Sequence, residues 1–132
     1  MESAFESYKE IQNLQNDIKK WSDKTFGTHR TGKPIAYHLK KEIDELIEAL
    51  DMFHQGIYSN KSNKSDLHQL AIIRKRVIME LADCFTLLID SAAHEQITIE
   101  MLVTASKEKL EINKKRKWGI PDENGVVEHI EE

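Results

Sequence analysis

The run Leu70-Ala-Ile-Ile-Arg-Lys-Arg-Val77-Ile-Met-Glu80-Leu-Ala-Asp83-Cys-Phe-Thr-Leu-Leu-Ile89 decides the fold. It contains no Gly or Pro and is apolar nearly all round. That composition predicts a long, central, buried helix from about Asp66 to His94. Within it, Glu80 and Asp83 stand among Met79, Leu81, Ala82, Cys84, Phe85 and Leu87. Desolvating a carboxylate costs several kcal/mol unless something compensates, and a second acid close by raises the cost.

On the N-terminal side a matching element appears. Leu39, Ile43, Leu46, Ile47, Leu50 and Phe53 form the apolar stripe of a helix from about Pro34 to Gln55, with Gly56 as its expected cap. A shift of 38 residues lays His38, Leu39, Glu42, Ile43, Glu45, Leu46 and Leu50 over Arg76, Val77, Glu80, Leu81, Asp83, Cys84 and Leu88. In both helices the first acid lies about 70° to one side of the apolar stripe, with the second about 60° further round. Two helices with one pattern can meet seam to seam and bring Glu42, Glu45, Glu80 and Asp83 together. Carboxylates without His or Cys are hard oxygen ligands, suited to Mg²⁺ or Mn²⁺. Acid pairs three apart are common in this chain, as at Glu45/Glu48, Glu108/Glu111 and Glu128/Glu131. Solvated or salt-bridged acids are therefore the competing reading.

Further outward, Phe5, Tyr8, Ile11, Leu14, Ile18 and Trp21 predict a first helix over 3–24 with one buried stripe. Thr25–Lys33 and Tyr58–Ser65 read as loops. A fourth helix is expected after Thr98, its N-cap, to about Lys117. Lys109, Asn113 and Arg116 share a face of that helix, with Trp118 next. This basic ribbon suits a polyphosphate, although cations also gather at helix C-termini for their own sake. His38 lies on the acidic ribbon. Trp21 lies on an apolar stripe, and Cys84 reads as core.

The expected architecture is all-α: an antiparallel four-helix core within a single domain of 132 residues, its last part, 119–132, a tail over the surface. Long amphipathic helices in a chain this short favour a homodimer or homotetramer. The formal net charge is −4, which argues against nucleic acid as a partner. No apolar run is long enough to span a membrane. A polar, acidic N-terminus and a lone cysteine fit a cytoplasmic protein.

Together, His38-Leu-Lys-Lys-Glu42-Ile-Asp-Glu45-Leu, then Glu80-Leu-Ala-Asp83, then Lys109-Glu-Lys-Leu-Glu-Ile-Asn113-Lys-Lys-Arg116-Lys-Trp118 resemble the MazG-like nucleotide pyrophosphohydrolases, and most of all their dATP/dGTP diphosphohydrolase-type branch. The chain departs from many of them in carrying Lys41 where a Glu precedes the first motif acid, and in a longer gap between Glu45 and Glu80. The resemblance implies a Mg²⁺-dependent hydrolase that cuts a nucleoside triphosphate between the α- and β-phosphates, releasing a monophosphate and pyrophosphate. It also implies dimers or dimers of dimers. On that reading Glu42, Glu45, Glu80 and Asp83 hold metal and carry catalysis, while Lys109, Asn113, Arg116, Trp118, His38 and Trp21 bind substrate. The alternative from another class is a non-catalytic helical dimerisation or interaction module.

Overall fold

A computed structural model of the chain describes residues 4–59 and 64–131. It is all-helical, with no strand among the described residues. One turn, α1 (Ala4–Ser7), precedes four long helices: α2 (Lys9–Phe26), α3 (Gly32–Ser59), α4 (Lys64–Ala93) and α5 (Ile99–Lys115). The first expected helix is thus interrupted at Tyr8, whose backbone (φ −107°, ψ 1°) leaves helical geometry for a single residue. α3 runs through Gly56 to Ser59 instead of stopping there. The expected Ser/Asn-rich loop is helical at 58–59 and 64–65, and its remainder, 60–63, lies outside the described residues. The chain divides into two compact units, Met1–Ile99 and Glu100–Glu132.

In the first unit α3 and α4 form the most extensive helix contact, with α2 packed on α4. Their direction follows from the contacts. A Cβ on Gly32 would meet Ser91, Met52 touches Arg76, and a Cβ on Gly56 would meet Leu70. As numbers rise along α3 they fall along α4, so the two are antiparallel. Gly32 is required by this approach: a Cβ there would lie 2.7 Å from the Ser91 carbonyl oxygen. Ser91 Oγ donates to the Gly32 carbonyl, and the Glu95 carboxylate accepts from the Gly32 N–H at the start of α3.

Burial differs from the pattern expected of the stripes. The buried apolar residues are Ile35, Ala49, Val77, Ile89 and Ile99, joined by Gln15, Ser22, Asp90 and His94. On α2, Ile11, Leu14 and Trp21 are exposed, and the buried positions are polar. The reason lies in backbone groups that need partners. Gln15 Nε2 donates to the carbonyls of Ile89 and Ile97, and Gln12 Oε1 accepts from the Ile99 N–H. These bonds satisfy the end of α4 and the start of α5. α4 is not buried all round either. Ile78, Leu81, Phe85 and Leu88, alternately three and four apart, form an exposed seam, with Leu88 52 % accessible. Cys84, expected in the core, is half-buried, and burial, ahead of the neighbouring carboxylates, pushes its thiol pKa up.

The second unit comprises most of α5 and a C-terminal turn. Trp118 and His129 pair in an isolated antiparallel bridge, flanked by the bonds Gly119 N–H to Glu128 O and Ile130 N–H to Lys117 O. Asp122 closes the turn by accepting from the N–H groups of Asn124 and Val126. No helix among the described residues is long and apolar enough to cross a membrane.

Candidate metal centre and nucleotide groove

Antiparallel packing of α3 on α4 sets Glu42 opposite Glu80 and Asp83. One carboxylate oxygen from each of the three lies within 4.8 Å of the other two. The matched phase of the two acidic ribbons accounts for this, since each flanks the seam on the side facing the other helix. Among the described residues it is the one group with metal-ligand geometry. Glu42 and Glu80 are half-buried and Asp83 is exposed. Glu45, the fourth expected member, falls outside the 4.8 Å group, yet it feels the cluster: repulsion from Glu42, followed by a hydrogen bond to it and the charges of Glu80 and Asp83, raises its pKa.

Glu80 Oε2 is buried and has no hydrogen-bond partner. A buried acceptor without a donor calls for a missing partner, and the donors here are all hard oxygens. Mg²⁺ or Mn²⁺ fits that set, and the charge repulsion felt by Glu45 points the same way.

A cavity of about 320 Å³ adjoins the cluster. Glu42, His38 and Asp83 line it together with Trp21, Phe26 and Arg30. His38 Nε2 lies 3.2 Å from Glu42 Oε1, one turn away on α3. Trp21 meets Phe26 edge to face at 5.5 Å, and the Arg30 guanidinium lies over the Phe26 ring at 4.7 Å. Trp21 is 60 % accessible, so it forms a wall of the groove and not core.

Arg30 and Asp90 also face this cavity and have no place in the sequence reading. Arg30 falls in a segment read only as loop. Asp90, in the last turn of α4, and His94, four residues on and just past its end, carried the available signal. That spacing is equally common on solvated helices. Asp23 belongs to the same polar region: its hydrogen bond to Lys19 at 2.7 Å, outweighing desolvation, lowers its pKa.

The remaining expected substrate residues belong to the second unit. Arg116 Nη1 donates to Asn113 Oδ1 at 3.1 Å, and Trp118 Nε1 donates to the Asn113 carbonyl at 3.0 Å. Asn113 thereby holds Arg116 and Trp118 together, and Lys109 is exposed one turn earlier. Trp118 also stands edge to face with His129 at 6.1 Å.

Neither the curated proteins nor the solved structures contain a significant match to the chain. Residues 74–132, somewhat less than half of the chain, include Glu80, Asp83, Lys109, Asn113, Arg116 and Trp118 and match the family model described as dATP/dGTP pyrophosphohydrolase.

Proposed function

We propose that the chain is a Mg²⁺-dependent nucleoside triphosphate pyrophosphohydrolase acting on a purine deoxynucleotide such as dATP or dGTP. One observation carries the reading: Glu42, Glu80 and Asp83 converge from two helices at the edge of a groove with aromatic walls. A scaffold has no use for clustered, partly desolvated acids, whereas a metal-assisted hydrolase needs them. The family description over residues 74–132 supports the same reaction.

Glu42, Glu80 and Asp83, with Glu45 at their margin, are the residues to hold the divalent ion. When bound, the ion supplies charge neutralisation for the polyphosphate and an acidified water. Water oxygen bonds to the α-phosphorus as the bond from that phosphorus to the bridging oxygen breaks. Pyrophosphate leaves with the electron pair, and one carboxylate of the four accepts the water's proton. Trp21 and Phe26 provide flat faces for the base, and His38, beside Glu42, helps to orient the nucleotide. Roles for Lys109 and Arg116 in holding phosphate charge, and for Asn113 and Trp118 in holding the nucleotide, rest on the sequence resemblance and on the family match that spans them. The seam of Ile78, Leu81, Phe85 and Leu88 has the three–four spacing of paired helices, and a second copy of the chain is its proposed partner. The reading places the enzyme in the cytoplasm.

The test is release of pyrophosphate from each ribo- and deoxyribonucleoside triphosphate with Mg²⁺. Purine deoxynucleotides should head the panel, and EDTA should abolish turnover. An inactive wild-type protein that binds no Mg²⁺ in a calorimeter would return the chain to the scaffold reading.

A further inference from the structure

Arg30 lies in the link between α2 and α3, is half-buried, and lines the same cavity as Glu42 and Asp83. Two neighbours hold its guanidinium. Nη1 donates to Ser22 Oγ at 3.2 Å, and the group lies over the Phe26 ring at 4.7 Å. A guanidinium carries five N–H groups in a rigid plane and no acceptor. Ser22 takes one N–H, and the contact with the Phe26 face takes none. Fixed between a buried hydroxyl and an aromatic ring, the group is preorganised for a planar ligand that offers acceptors.

Its distance from the acids decides which part of a nucleotide it meets. Ser22 Oγ is 3.4 Å from His94 Nε2, which is 3.2 Å from Asp90 Oδ1. The Arg30 guanidinium therefore belongs to the Asp90 end of the cavity. Asp90 stands two helical turns beyond Asp83 on α4, about 10 Å along the axis. A nucleotide with its phosphates at Glu42, Glu80 and Asp83 extends its base over such a distance. Trp21, edge to face with Phe26, supplies an aromatic wall, and Ile18 and Leu87 supply apolar ones.

We propose that Arg30 reads the base, donating to O6 and N7 of a 6-oxopurine, and thereby makes dGTP the preferred substrate over dATP. This rests on the hydrolase reading above. The two acceptors are adjacent on one edge of guanine and match two N–H groups of a guanidinium. Adenine keeps N7 but carries an amino group at position 6, so donor would face donor, and a partly desolvated site rejects the unpaired group. On the corresponding edge cytosine offers an amino group, and thymine a single carbonyl beside a methyl group. Aromatic walls stack on any base, so discrimination among purines falls to Arg30.

The experiment measures kcat/KM for pyrophosphate release from dGTP, dITP, 7-deaza-dGTP and dATP by the full chain with Mg²⁺, for the wild type and Arg30→Lys. dITP keeps O6 and N7 and should rank with dGTP. 7-Deaza-dGTP lacks only the N7 acceptor and should fall about tenfold, the value of one hydrogen bond to a charged group. dATP should fall about 10- to 100-fold. Lysine keeps the cation but not the paired donors, so the variant should lose about tenfold on dGTP, chiefly through KM, and its dGTP:7-deaza-dGTP ratio should drop toward one. Far-UV circular dichroism checks that the variant is folded, and if it is not, the wild-type panel decides. Equal wild-type values for dGTP and 7-deaza-dGTP, or dITP ranking with dATP, overturns the assignment while leaving the hydrolase intact. So does a folded variant that loses equally on every substrate, which would give Arg30 to the phosphates. A wild type that cleaves no triphosphate removes both readings.

Discussion

Replacing Glu80 with glutamine should stabilise the metal-free protein and weaken the metal-loaded one. Glu80, Glu42 and Asp83 bring carboxylate oxygens within 4.8 Å of one another. At that separation two like charges repel by about 1 kcal/mol in water and about 3.5 kcal/mol at an effective dielectric of 20. Glu42 and Glu80 are half-buried and Asp83 is exposed, which places each pair near the lower figure, ~1 kcal/mol. Glutamine removes both repulsions that involve position 80, and its amide can donate where Glu80 Oε2 finds no partner. The gain is about 2 kcal/mol, or roughly 6–8 °C in Tm for a chain of this size. Mg²⁺ at one hundred times its Kd should raise the wild-type stability by about 2.7 kcal/mol, roughly 8–10 °C. The variant has lost a charged ligand and should keep less than half of that. Thermal melts in EDTA and in saturating Mg²⁺, at low ionic strength, supply all four numbers. A variant that melts below the wild type in EDTA and shifts as far with Mg²⁺ would refute the claim that these acids repel one another in order to hold a cation.

The pKa shifts predict the pH profile of the metal-free protein. Glu45 holds its proton above the ordinary 4.5, so the native state binds more protons there and stability falls as pH rises through that range; Glu45→Gln should flatten the fall in chemical denaturation. Asp23 is shifted below its ordinary 3.8, so its contribution is present above 3.8 and is lost on further acidification; Lys19→Ala should reduce that acid-side loss. Gly32→Ala drives a methyl group to 2.7 Å from the Ser91 carbonyl, and urea denaturation should register a loss of about 2–3 kcal/mol. Leu88→Glu, at the exposed seam of α4, should shift the mass measured by light scattering toward the monomer; an unchanged mass for a wild-type dimer would exclude that seam as the contact.

The helices were legible in the sequence because periodicity registers wherever one face of a helix is apolar. The acidic cluster was legible for a related reason. Glu42, Glu80 and Asp83 sit in one phase beside matched stripes, and antiparallel packing of such stripes leaves the acids facing one another. Where the reading departed from the structure, the cause was tertiary. Gln15 and Ser22 are buried on α2 because distant carbonyls, a histidine and an arginine need them, and no local pattern encodes that demand. Leu81 and Leu88 are apolar yet exposed, since hydropathy alone does not decide which apolar face of a helix packs within the chain. Asp90 and His94 escaped notice because a buried acid–histidine pair and a solvated one have the same spacing.

The two glycines of α3 bracket the acidic cluster: Gly32 lies against Ser91 near one end of the hairpin, and Gly56 against Leu70 near the other. Each removes the side chain that would otherwise prop the rods apart, so the spacing between Glu42 and its partners on α4 is gauged at both ends. The register of the two rods is thus set by contacts within the helices themselves. A larger residue at either glycine would therefore reach the acidic cluster from a distance, by shifting Glu42 relative to Glu80 and Asp83.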